Sequence, residues 1–65
     1  MGAFKQSLAE IHESTLLVGV KVTASIFNVS EDYVKEATMT WDGYDCPWEE
    51  YVHSAQAQYG VVIEP

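Results

Sequence analysis

A chain of 65 residues with ten carboxylates, three lysines, no arginine and a formal net charge of −7 makes one small domain over residues 1–65, burying only ~60% of its unfolded surface. Its charge repels nucleic acid and anionic membranes, and no stretch approaches the ~20 apolar residues of a membrane span. One cysteine, Cys46, and two histidines, His12 and His53, exclude an intrachain disulfide and a paired-ligand zinc framework, and a lone thiol suits a reducing, cytoplasmic setting.

The first predicted element is a short amphipathic helix over residues 3–13, where Phe4, Leu8 and Ile11 recur at spacings of four and three among helix-forming residues. The N-terminus lacks the basic-then-apolar layout of a signal peptide, and Met1-Gly2 with Ser7 is only superficially a myristoylation start. Residues 15–27 alternate at period two. Leu16, Val18, Val20, Val22, Ala24 and Ile26 fall on one face, which predicts a long strand with Gly19 as a bulge site. Residues 28–32 carry turn chemistry, and residues 33–41 alternate again, predicting a second, antiparallel strand with Lys35 at the sheet edge.

Asp42-Gly43 reads as a turn. Pro47 then suits a first helical position, Glu49 and Glu50 suit the first turn, and Trp48, Tyr51, Val52, Ala55 and Tyr59 trace one stripe up to Gly60. These features predict a helix over residues 47–59 with a glycine cap. Val61, Val62 and Ile63 close the chain as a short third strand. The expected fold is therefore α+β: a three-stranded, mainly antiparallel sheet covered by the helix at 47–59 and a short N-terminal helix.

The charge is uneven along the chain. In residues 1–30, Lys5 and Lys21 balance Glu10 and Glu13, whereas residues 31–65 set eight carboxylates against Lys35 alone. Residues 41–51 also gather four of the eight aromatic residues, and Trp and Tyr are enriched at binding hot spots. Trp41 and Trp48 occupy periodic positions that suit a core, while Tyr44 fits neither stripe and is expected at the surface. The expected binding residues are Glu31, Asp32, Glu36, Asp42, Tyr44, Asp45, Trp48, Glu49 and Glu50, meeting a protein with a basic surface.

Two resemblances bear on function. The spacing of Ala24, Asn28, Val29 and Val34 resembles the core pattern of bacterial helix-turn-helix domains, over about eleven residues. It implies a degenerate regulator of that class. The helix after the turn would carry Glu31, Asp32 and Glu36 with a single lysine, where phosphate binding needs basic residues, and the β-branched run before it favours the strand reading. In size, charge and lack of catalytic residues, rather than in any motif, the chain is also similar to the DNA-mimic inhibitors that bacteriophages make. That likeness implies an inhibitor that blocks a basic, nucleic-acid-binding host protein with a DNA-like acidic surface. A further reading is a small structural or regulatory subunit that pairs as a homodimer through the apolar strand face.

Catalytic and metal readings are weak. His53 lies near Glu49, Glu50 and Cys46 in sequence, but there is no glycine-rich phosphate loop and no nucleophile elbow. Asp42, Asp45, Glu49 and Glu50 lack the alternate-residue spacing of a calcium loop. No cofactor, metal, enzymatic activity, direct nucleic-acid binding or membrane contact is expected.

Overall fold

The computed structural model describes residues 7–64, and they form four helices joined by short turns, with no strand among the described residues. The helices are α1 (Leu8–Val18), α2 (Val20–Phe27), α3 (Glu31–Asp42) and α4 (Trp48–Tyr59). The expected α+β sheet is therefore replaced by an all-helical fold. The part of the N-terminal helix placed on residues 3–6, together with Phe4 and the Met1-Gly2 signal, lies outside the described residues.

Local chemistry explains the helix ends. The Ser7 hydroxyl accepts from the Ala9 N–H at 3.2 Å, and the Ser30 hydroxyl accepts from the Tyr33 N–H at 3.1 Å. Each satisfies an orphan donor of the first turn. Gly43 and Gly60 close α3 and α4 in the left-handed region. The helix expected over 47–59 is present as α4, entered from Pro47, whose carbonyl accepts from the Glu50 and Tyr51 N–H groups.

Residues 15–27 are not a strand but the last turn of α1, a break at Gly19, and α2. Ile11, Thr15, Val20 and Thr23 are buried at helical spacing. Burial at that spacing outweighs the few tenths of a kcal/mol by which β-branched residues disfavour a helix. Thr15 also satisfies its hydroxyl within the helix, donating to the Ile11 carbonyl at 2.8 Å. Gly19 is a helix break with φ +94° rather than a bulge, and its Cα faces the tail so closely that a β-carbon would sit 2.7 Å from Glu64 Cβ.

The second expected strand, 33–41, is the body of α3, which buries Val34, Ala37 and Thr38 at spacings of three and four. The third, at 61–63, is an irregular tail. Without a sheet to join, it buries Ile63 in the core, and the Glu64 carbonyl accepts from the Val20 N–H at 3.1 Å.

Packing closes the molecule around Ile11, Val20, Val34, Ala37, Tyr51, Ala55 and Ile63. A seam of hydroxyls runs through it: Thr38 donates to Thr15 at 3.2 Å, and Ser14 and Thr23 share a bond of 2.8 Å. Among the described residues, every buried side-chain nitrogen and oxygen is partnered, as a stable interior requires.

Candidate functional site

The residues on which the helix-turn-helix resemblance rests lie at the turn between α2 and α3. Asn28 takes the left-handed conformation at φ 59°, and its N–H donates to the Ser25 carbonyl. Asparagine accepts that conformation more readily than other non-glycine residues. The Val29 N–H donates to the Ala24 carbonyl at 3.0 Å, Ala24 and Val29 pack against the core, and Val34 is fully buried. The pattern read from four residues thus corresponds to two helices joined by a three-residue turn, and the strand reading of the same residues is overturned.

On α3, Glu31, Asp32, Tyr33 and Glu36 are exposed. Asp45, Glu49 and Glu50 are exposed at the entry to α4. Negative charge is not confined to this part of the molecule, because Glu10, Glu13 and Glu64 are exposed as well.

Among the described residues the lysines are localised. Lys21 on α2 and Lys35 on α3, the two lysines among the described residues, line one groove of about 450 Å³ together with His53 on α4. Glu31 and Glu49 stand in the same groove, and its apolar lining is Trp48, Val52 and Ile63. No lysine forms an ion pair within 4.0 Å among the described residues, where the one charged contact is His12–Asp42.

Asp42 does not line that groove and stands at the centre of a polar cluster. Its Oδ2 accepts from the Tyr51 hydroxyl at 2.8 Å and from His12 Nε2 at 3.2 Å, and its Oδ1 accepts from the Tyr59 hydroxyl at 2.8 Å. Burial pushes the Asp42 carboxyl up, but the hydrogen bonds from Tyr59 and Tyr51, and then the charge and hydrogen bond of His12, outweigh it and hold the group below its ordinary value. His12 lies edge-on to Tyr59, with ring centroids 5.5 Å apart, and tilted against Trp41 at 6.4 Å.

The aromatic residues are sorted differently from the sequence expectation. Trp41 is 52% exposed rather than core. Tyr44 is half-buried, edge-on to Tyr51 at 5.2 Å, and its hydroxyl donates to Gln58 Oε1 at 3.4 Å. Trp48 is half-buried and stacked on Tyr51 at 5.3 Å. Of the expected binding residues, Glu31, Trp48 and Glu49 are brought together at the groove.

Sequence reading missed the convergence of Lys21, Lys35 and His53, and it missed His12, Tyr51 and Tyr59 as partners of Asp42. No local signal links residues 30 positions apart, as His12 and Asp42 are. No group of three or more His, Cys, Asp or Glu side chains with metal-binding geometry occurs among the described residues, and no helix there is long and apolar enough to cross a membrane. Comparison with protein-family models, curated proteins and solved structures finds no match.

Proposed function

We propose that the chain is a regulatory binder on a helix-turn-helix scaffold, and that it engages a basic protein surface through the acidic outer side of α3. The observation that carries this reading is the exposure of Glu31, Asp32 and Glu36 on the helix that would face nucleic acid in a DNA-binding member of that class. Duplex phosphates and these carboxylates repel one another, whereas lysine- and arginine-rich surfaces are attracted and steered towards them. In its narrower form the proposal is an inhibitor: the acidic α3 occupies the nucleic-acid groove of a basic host protein. The lone thiol at Cys46 and the acidic surface suit a cytoplasmic setting.

The test is capture from lysate of the native cell at about 50 mM and about 200 mM salt, with the wild-type chain and with Glu31→Lys, Asp32→Lys, Glu36→Lys combined. The expected result is one basic protein held at low salt, weakened at the higher salt and lost with the triple variant. Retention of duplex DNA by the wild-type chain, or equal capture by the triple variant, overturns the reading.

A second reading has its own observation. Leu17, Val18, Val22 and Ile26 are 75%, 43%, 48% and 63% exposed on α1 and α2. Contiguous exposed apolar side chains mark contact surfaces, so self-association through this helical face competes with the acidic surface as the binding mode. The strand face first expected to pair does not exist. Association here would be insensitive to salt, which separates the two readings.

A further inference from the structure

We infer that the groove between α2, α3 and α4 is a binding site for a small zwitterion with an apolar side chain, in chemical terms an apolar α-amino acid. Four charged side chains line it, Lys21 and Lys35 against Glu31 and Glu49, and they come from three different helices. On a chain of net charge −7, this groove sets two cations against two anions and gathers both lysines of the described residues. Among the described residues none of these four side chains has an ion-pair or hydrogen-bond partner, which leaves their charges facing the groove.

Between them lies apolar surface from Trp48, Val52 and Ile63. The groove volume of about 450 Å³ falls within the roughly 300–1,000 Å³ of small-molecule sites. A carboxylate set against Lys21 and Lys35, an ammonium set against Glu31 and Glu49, and an aliphatic or aromatic side chain on Trp48 would complement all three features together. A purely anionic ligand would meet the two glutamates, and a purely cationic one the two lysines. Either leaves an opposed charge pair unanswered. Internal peptide segments lack free termini, so the ligand class is the free amino acid.

This inference goes beyond the acidic-surface reading and shares only Glu31 with it, since Asp32 and Glu36 do not line the groove. The test is titration of the ¹⁵N-labelled full chain, followed by amide chemical shifts, with L-leucine, L-phenylalanine and L-tryptophan, each beside its N-acetyl and carboxamide derivatives. The expected result is a saturable shift centred on Lys21, Lys35, Glu49 and Val52 for at least one free amino acid, with each blocked derivative at least ten-fold weaker. Lys21→Gln with Lys35→Gln should weaken binding ten-fold or more, and Glu31→Gln with Glu49→Gln should do the same. Asp32→Lys with Glu36→Lys should leave it unchanged while abolishing capture of a basic protein. Unchanged backbone spectra away from the groove show that the variants fold. Absence of saturable shifts with all three amino acids at about 10 mM, or equal binding of a blocked derivative, overturns the inference.

Discussion

The hydroxyl of Tyr51 donates a 2.8 Å hydrogen bond to the carboxylate of Asp42, joining the first turn of α4 to the last residue of α3. Tyr51 is fully buried, so its polar end has no access to water and depends on that carboxylate. Asp42 in turn gathers His12 from α1 and Tyr59 from the end of α4. Three helices are therefore tied through one side chain. Replacing Asp42 with Ala strands the buried Tyr51 hydroxyl and His12, at a cost of roughly 3 kcal/mol. A domain this small has only about 3–5 kcal/mol of net stability, so thermal unfolding followed by circular dichroism should show a fall in Tm of more than about 10 °C. Tyr51→Phe removes one donor and leaves two, and should cost about 1 kcal/mol.

The same cluster predicts the pH limits of the fold. Asp42 is held below its ordinary carboxyl value in the folded chain, so its contribution is present above pH ~4 and is lost as pH falls through the folded value. The stability difference between wild type and Asp42→Asn should therefore shrink in urea titrations below pH ~4.

At the alkaline end, the bond to Asp42, followed by burial and the carboxylate's charge, pushes Tyr59 up to about 12. Burial first, then the Asp42 bond, raises Tyr51 as well. A raised value means stability that is complete below pH ~10 and declines as pH climbs through the folded value. Tyr59 is 38% exposed, so solvent screening keeps its share small. Tyr51→Phe should flatten the alkaline decline more than Tyr59→Phe does.

Gly19 and Gly43 both have positive φ, at +94° and +77°, but their surroundings differ. A β-carbon at Gly43 meets nothing within 4 Å, whereas one at Gly19 lies 2.7 Å from Glu64 Cβ and 3.1 Å from its carbonyl oxygen. Gly43→Ala should cost about 1 kcal/mol, the strain of a left-handed residue. Gly19→Ala adds displacement of the tail that buries Ile63, and should cost at least about 2 kcal/mol. Hydrogen exchange at the Val20 amide, which bonds the Glu64 carbonyl, should speed up in that variant alone.

Leu17 and Ile26 line a shallow hollow between α1 and α2 with Glu10 and Glu13 on its edge. Neither contributes to the core. Leu17→Lys with Ile26→Lys should therefore leave Tm nearly unchanged, within about 0.5 kcal/mol of wild type. In sedimentation velocity, any wild-type dimer should become a monomer.

The ends of α3 and α4 followed from local chemistry. A hydroxyl at Ser30, acids in the first turns, Pro47, and glycine at 43 and 60 act within a few residues of themselves, so the amino-acid order alone determined them. Net charge was likewise a property of composition. Helix against strand over residues 15–27 and 33–41 was decided only by tertiary packing. Every set of positions spaced by four is also contained in a set spaced by two, so the alternation at 16, 18, 20, 22, 24 and 26 hides a helical repeat. In the folded chain Leu16, Val20 and Ala24 pack inward while Val18, Val22 and Ile26 face water, a division that no local pattern contains. The groove and the Asp42 cluster have the same origin. Their members lie on different helices, and α1, α2 and α3 packing together with α4 alongside α3 brings Lys21 beside Lys35 and His12 beside Asp42.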